Sequence, residues 1–441
     1  MVALGQTIDI SKFLLAISSM NGLSDPAINN HNYRVAFLSY LIGKEISFSN
    51  EFLYNLLVSG LLHDIGLLLV HISEDIALLK NPSEKETKKI HLHAEVGYEL
   101  LKKFPYFSKI AKIVKYHHYS YQEAISSPHI PFSAAIVNLA DRIDIFIINN
   151  ADPEEPYSNI SKVLPKLEKF LNRQKGKTFS PKLVDLFLNK ISHQEAFWYE
   201  ILNEECLKET LEYLLKSFDN KLPSEAFYDL SQILAYLIDF KSPFTATHSS
   251  GVAQTAVSLA SFFKFTSPDL KKIKIAGLLH DIGKVAIPLN ILEKQGKLTE
   301  EEFNVMKSHV FYSYKIISRL NVDNDIIEWA SYHHETLDGT GYPFRLAAKE
   351  LSLGSRVMAV ADIFTALRED RPYKKGLPPE RAVSIIEELA QKNKLDKRVV
   401  KILKGNLSNI SMQVEESQKR AKELYQDLRS IVAMYKEPKN L

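Results

Sequence analysis

The chain has a single cysteine in 441 residues, Cys206, so no intrachain disulfide and no thiolate metal cluster can form. No stretch approaches the ~20 apolar residues needed to span a bilayer. The opening MVALGQTIDISKF lacks the basic start and unbroken apolar core of a secretory signal. There is no charge excess either: 55 basic against 53 acidic residues leave a net charge of +2, which argues against duplex nucleic acid as a partner. Low-complexity segments are also missing. These absences lead us to expect a cytoplasmic protein with no membrane partner. A hydrophobic content of 45% with 24% charged residues is that of an ordinary globular protein, and the length suits two domains of roughly 200 residues each.

Histidine, by contrast, is concentrated. His31, His63-Asp64, His93, His117-His118 and Asp141 form one set, and His248, His280-Asp281, His309, His333-His334 and Asp362 form a second. The spacing nearly repeats: 63−31 and 280−248 are both 32, 117−93 and 333−309 are both 24, and 93−63 = 30 stands against 309−280 = 29. Ten of the fourteen histidines lie on these positions. Scattered surface histidines would not keep such a register, so the chain reads as an internal duplication of a metal-binding domain.

Histidine with carboxylate and without cysteine suits a hydrolytic Mn, Fe or Zn centre better than a structural zinc site. Seven ligands are too many for one four-coordinate ion, so each set implies at least two metals. Adjacent helical residues point about 100° apart, so a His-Asp pair can give one ion its imidazole while the carboxylate bridges to the other. Two ions about 3.5–4 Å apart hold a water or hydroxide, lower its pKa, and stabilise charge on a phosphoryl oxygen. That is phosphohydrolase chemistry.

The segments around these residues have helical periodicity and little strand alternation, which predicts an all-α fold of two tandem helical domains. LYNLLVSGLLHDIG is matched by LKKIKIAGLLHDIG, and ISKFLLAISSM before His31 by LSQILAYLIDF before His248. The likeness continues after the last ligand, from LEKFLNRQKGKTFSPKLVDLFLNKI to IIEELAQKNKLDKRVVKILKGNL. We place a first domain at 1–203, a helical linker at 204–221 and a second domain at 222–441. The amphipathic ESQKRAKELYQDLRSIVAMY suits either its own domain or a second subunit, a homodimer.

HDIGKVAIPLNILEKQGKLTEEEF, HHETLDGTGYP, ADIFTAL and DRPYKK, between His248 and Lys375, resemble the successive signatures of the HD-GYP family, a subgroup of the HD-domain metal-dependent phosphohydrolases. The first unit resembles the wider HD superfamily through HNYRVA, LLHDIG, HAEVGYELLK, YHH and ADRID. The resemblance implies hydrolysis of a 3′,5′ cyclic dinucleotide second messenger. Cyclic di-GMP comes first, and 3′,3′-cyclic GMP-AMP or a non-catalytic nucleotide-binding signalling module are the alternatives. It implies two divalent transition metals per site, Fe or Mn before Zn, Ni or Co. One would be held by His248, His280, Asp281 and Asp362, the other by Asp281, His309, His333 and His334. Asp281 and Lys284 would be catalytic, and Lys284, Arg371 and Lys374 would bind the substrate phosphates. Gly339, Gly341 and Pro343 shape the GYP loop, read as a rim that meets a signalling partner rather than a source of catalytic groups.

Some residues depart from that pattern. A glutamate found one turn before the first histidine in some members is Phe244 here, and Ala27 in the first unit. Thr365 stands where many members carry an acid, and Gly251 where an arginine often stands, as Arg34 does in the first unit. The first unit keeps His31, His63, Asp64, His93, His117, His118 and Asp141 but has Leu67 in place of the motif lysine, no GYP loop, and RIDIFIINNADPEE where the phosphate cluster would follow. It is therefore expected to bind metal in a regulatory rather than catalytic role.

Overall fold

The computed structural model describes residues 7–9, 11–24, 30–70, 84–151, 157–158, 160–218, 221–240, 246–320, 322–370 and 375–436. Within them the chain is helical almost throughout, as the periodicity predicts. Two three-residue strands, Thr7–Asp9 and Lys221–Pro223, pair in one small sheet. Among the described residues no helix is long and apolar enough to cross a membrane. Phe244, Ala27, Arg371 and Lys374 lie outside the described residues.

The chain divides into two compact units, residues 9–221 together with 430–441, and residues 222–429 together with 1–8. Their helices correspond one by one. Ser11–Ser24, His31–Lys44, Asn50–Leu62, Glu84–Leu101, Ser108–Tyr116 and Phe132–Asn150 build the first ligand-bearing half. Ser224–Asp239, His248–Ala260, Ser267–Leu279, Glu300–Ser318, Asn324–Ser331 and Leu353–Arg368 repeat that order. Local sequence sets where these helices start. Thr266 and Asp269 form a capping box with Pro268 in the first turn, and Thr299 with Glu302 forms another. Each helix then turns an apolar face inward, so that Leu38, Ile42, Leu57 and Leu61 fill the first core and Leu234, Val252, Leu279 and Phe364 the second.

The segment expected to be a linker is more than that. Glu204–Ser217 packs on the Ser11–Ser24 and His31–Lys44 helices, burying Leu207, Leu211 and Leu215. Phe218 just beyond it meets Tyr40 and Tyr54 edge-on. In the second unit the long Leu407–Lys436 helix takes the matching place: Gln413 accepts from Ser258 at 2.6 Å, and Tyr425 lies against Phe240. The helix expected to be a linker thus packs as the last helix of the first unit.

One close approach recurs in both units. A Cβ built on Gly277 would lie 2.5 Å from the Cα of Ala253, and one on Gly60 2.4 Å from the Cα of Ala36. These glycines let the helix that ends at the His-Asp pair cross the helix that opens with the first histidine, backbone against backbone. Gly277→Ala should therefore push the two helices apart. Overpacking of this kind costs about 1–3 kcal/mol, and denaturant unfolding of metal-free protein would measure it. An unchanged midpoint would show that the crossing is loose.

Candidate metal centre

Helix ends position most of the second set. His280 closes the Ser267–Leu279 helix, Asp281 occupies the following turn, and His333 and His334 follow the Asn324–Ser331 helix. His248 opens its helix, and His309 and Asp362 project from the middle of theirs. Gly283 lets the turn after Asp281 settle onto the His309 helix, since a Cβ there would lie 2.0 Å from the His309 carbonyl oxygen.

The structure brings all seven residues together. Asp281 Oδ2 lies 3.2 Å from His280 Nε2 and 3.5 Å from His248 Nε2, while its Oδ1 lies 3.2 Å from His309 Nε2. Asp362 Oδ1 is 3.3 Å from His248 Nε2, and its Oδ2 is 3.6 Å from His334 Nδ1. Two triads offer ligand atoms within 4.8 Å of one another, His248/His280/Asp281 and His309/His333/His334. Lys284 Nζ sits 2.5 Å from Asp281 Oδ2.

Orientation, more than proximity, marks these residues as fit for metal. His280 Nδ1 donates to the Gly277 carbonyl at 2.8 Å, His309 Nδ1 to Met306 at 2.6 Å, and His333 Nδ1 to Ala330 at 2.6 Å. With Nδ1 protonated, each Nε2 carries a lone pair. Those three Nε2 atoms are buried and have no hydrogen-bond partner. A buried acceptor left unmatched is costly, and a metal ion is the partner that fits this donor set.

The electrostatics agree. Burial resists ionising Asp281, yet His280 and Lys284 beside it hold its carboxyl well below the usual range. Burial likewise resists ionising Asp362, and His248 with its neighbouring imidazoles holds it low. Burial and the adjacent His334 and His280 keep His333 neutral, and burial pushes His334 down to about 4. Burial works against charging His248, but Glu369, Asp362 and Asp281 outweigh it and push it up to about 10.

The first set assembles in the same way. His93 Nε2 lies 3.1 Å from Asp64 Oδ1, and His31 Nε2 lies 3.5 Å from Asp64 Oδ2 and 3.4 Å from Asp141 Oδ1. His63 Nδ1 donates to Gly60 at 2.8 Å and His117 Nδ1 to Val114 at 2.6 Å. Leu67 opens a short helix where the second unit has Lys284.

Several contributors went unseen in the sequence. Asp144 accepts from His31 Nδ1 at 2.6 Å, and Glu369 from His248 Nδ1 at 2.8 Å. Asp144 stands three residues after Asp141 within ADRID, a helical spacing that could have revealed it. Arg142 lies 3.3 Å from His118 Nδ1 and 3.4 Å from Asp141. In the GYP loop, the buried Glu335 accepts from the amides of Phe344 at 2.7 Å and Leu346 at 3.0 Å. Tyr342 packs on His334 with ring centroids 4.8 Å apart, so the loop expected to be a rim also touches the metal-facing cluster.

Comparison with known proteins fits this description. Residues 28–145 and residues 232–399 each match an HD domain family model, so the domain occurs twice. The chain is 31% identical over 387 residues to the 3′3′-cGAMP-specific phosphodiesterase 1 of Vibrio cholerae, covering 86% of this chain and 87% of that protein. It is 35% identical over 190 residues to a cyclic di-GMP phosphodiesterase of Thermotoga maritima, covering 42% of this chain and 50% of that one. The fold resembles the crystal structure of a cyclic GMP-AMP specific phosphodiesterase from V. cholerae, V-cGAP3, with a TM-score of 0.62 over 91% of this chain and 98% of that one at 21% identity. The chain belongs to the HD-GYP family of metal-dependent HD-domain proteins.

Metal uptake should release a proton. His248 is protonated below about 10 in the metal-free protein, and an ion must displace that proton to reach Nε2. Apparent Mn²⁺ affinity should therefore climb as pH rises from about 6 to about 9, by up to roughly tenfold per unit. Calorimetry in two buffers of different ionisation enthalpy would count the proton, and a pH-independent affinity would contradict the assignment.

Proposed function

We propose that the second unit is a cyclic-dinucleotide phosphodiesterase, acting in the cytoplasm. The observation that carries this reading is the buried His/Asp cluster with three unmatched imidazole nitrogens and Lys284 at its edge. His248, His280, Asp281 and Asp362 would hold one divalent ion, and Asp281, His309, His333 and His334 the other, with Fe or Mn ahead of Zn, Ni or Co. Bound there, the ions would supply an activated water and neutralise charge on the phosphoryl oxygens. Asp281 offers its two oxygens to opposite halves of the cluster, as a bridging ligand must. Lys284 would neutralise a non-bridging phosphate oxygen, with Arg371 and Lys374 as further phosphate ligands.

The V. cholerae relative that matches along 86% of this chain is cGAMP-specific, whereas the T. maritima cyclic di-GMP enzyme aligns over 42% of it. That difference supports 3′,3′-cyclic GMP-AMP as the first substrate to test, with cyclic di-GMP beside it. The first unit would bind metal without catalysing this reaction, since Leu67 replaces the lysine. The GYP loop would add a surface for a signalling partner.

The test is hydrolysis of 3′,3′-cyclic GMP-AMP and cyclic di-GMP by the full chain loaded with Mn²⁺. Asp281→Ala should abolish turnover. Lys284→Ala should keep its metal but lose about 10²–10³ in rate, the usual worth of one charge on a transferring phosphoryl group. Turnover near wild type in Asp281→Ala would sink the proposal, and metal loss in Lys284→Ala would reassign that lysine.

His63→Ala combined with Asp64→Ala should leave chemistry at the second site in place. It should also lower the melting transition of the first unit in metal-containing buffer, because an ion that binds only the folded state stabilises it by mass action. Cyclic-dinucleotide hydrolysis confined to the first unit would overturn this division of roles.

A further inference from the structure

We propose that Glu369 is a positioning residue for His248, replacing an acid that this unit has lost one helical turn earlier, and that Gln418 of the C-terminal helix holds it in place. The proposal rests on reading His248 as a metal ligand.

The first unit shows the arrangement from which the second departs. Asp144, three residues after Asp141 on the same helix, accepts from His31 Nδ1 at 2.6 Å. Arg34, three residues after His31, donates to both Asp144 oxygens, at 2.5 and 3.3 Å. The corresponding residues of the second unit are Thr365 and Gly251. Thr365 cannot serve His248 in the same way. Its hydroxyl donates to the Ala361 carbonyl at 2.8 Å and lies 3.3 Å from Thr255 Oγ1.

The carboxylate arrives from Glu369 instead, seven residues after Asp362. Two helical turns are about 7.2 residues, so Glu369 lies on the Asp362 side of the helix, at the residue that ends it. One oxygen accepts from His248 Nδ1 at 2.8 Å and the other from Gln418 Nε2 at 3.0 Å. The neighbouring Arg368 also ties this corner to the C-terminal helix, donating to Glu415 at 2.7 Å. Gly251 is what makes the room. A Cβ there would lie 2.7 Å from Gln418 Nε2 and 2.8 Å from Thr365 Cγ2, so a side chain such as the first unit's arginine would displace this glutamine from its place against Glu369.

The exchange also changes the chemistry. Arg34 neutralises Asp144, whereas Gln418 contributes a neutral amide. Glu369 therefore presses a less compensated charge on its imidazole, which makes Nε2 a stronger donor to a metal. A carboxylate behind a ligating histidine fixes its tautomer and raises its basicity.

The experiment is Co²⁺ titration of the metal-free full chain, followed by visible absorption and chelator competition, with no nucleotide present. The signal lost in His248→Ala defines the second site. Glu369→Ala should weaken that site about 10–100-fold and shift its absorption, with the metal-free melting transition unchanged. Glu369→Gln should fall between the two, keeping an acceptor but not the charge. Adding Thr365→Asp to Glu369→Ala should restore part of the affinity, because Asp144 reaches its histidine from that same position. Affinity and spectrum unchanged in Glu369→Ala would overturn the proposal. So would a loss that neither Glu369→Gln nor Thr365→Asp relieves while the metal-free protein melts lower, since that describes a structural prop. If His248→Ala left Co²⁺ binding intact, the ligand reading would fail and this proposal with it. If the Co²⁺ effects held but the wild type hydrolysed no cyclic dinucleotide, only the substrate reading would fail.

Discussion

A helix end leaves its last carbonyls without amide partners, and this fold answers with imidazole. His63, His117, His280 and His333 each follow the end of a helix, and each donates Nδ1–H to the carbonyl three residues back. One bond satisfies the orphan carbonyl, fixes the tautomer and aims Nε2 at the centre. The same helix ends carry negative partial charge, which favours a cation nearby. The rest of the architecture serves this arrangement. Gly60 and Gly277 allow the close helix crossing behind it, and Gly66 and Gly283 seat the turn after each His-Asp pair on the next helix.

The repeat and its helices were readable because both rest on local rules. Apolar residues at three- and four-residue steps, capping boxes at Thr266 and Thr299, and histidines in register need no knowledge of distant contacts. The role of Glu204–Ser217 was not readable in that way. Its leucine stripe says that one face is buried but not against what, and only the tertiary packing on the Ser11–Ser24 helix identifies it as the last helix of the first unit. Glu369 and Gln418 were hidden for the same reason: 121 residues separate His248 from Glu369, and 49 separate Glu369 from Gln418. A lone glutamate at a helix end and a lone glutamine on an amphipathic helix look like solvated surface.

The GYP loop shows how a turn-like sequence can become a fixed element. Asp338 accepts from the hydroxyls of Thr336 and Thr340 and from the Thr340 amide, closing the tip on itself. Glu335, next to the ligand pair, is buried and receives two amides from the far side of the loop. The loop is thus anchored one residue away from His334, and Tyr342 is carried onto that ring. Burial, with Asp362 and Asp281 nearby, pushes the Tyr342 phenol up, so it remains a neutral ring beside the cluster across the physiological range. Anything that moved this loop would be felt at His334.

An identical set of candidate ligands does not make the two clusters equivalent. Arginine can only donate, so Arg142 at 3.3 Å favours a bare Nδ1 on His118, a nitrogen that also lies 3.9 Å from the Asp141 carboxylate. Its Nε2 faces His93 Nε2 at 3.0 Å. In the second unit, Ile363 occupies the position of Arg142, and His334 Nδ1 faces the Asp362 carboxylate, which favours the proton there and leaves Nε2 free. Arg142 also lies against Asp141, opposing with its own charge the arrival of a cation. The first cluster thus keeps all seven residues of the set, with Arg142 standing against two of them. The two repeats differ in what stands beside the candidate ligands, Arg142 and Leu67 in one unit and Glu369 and Lys284 in the other.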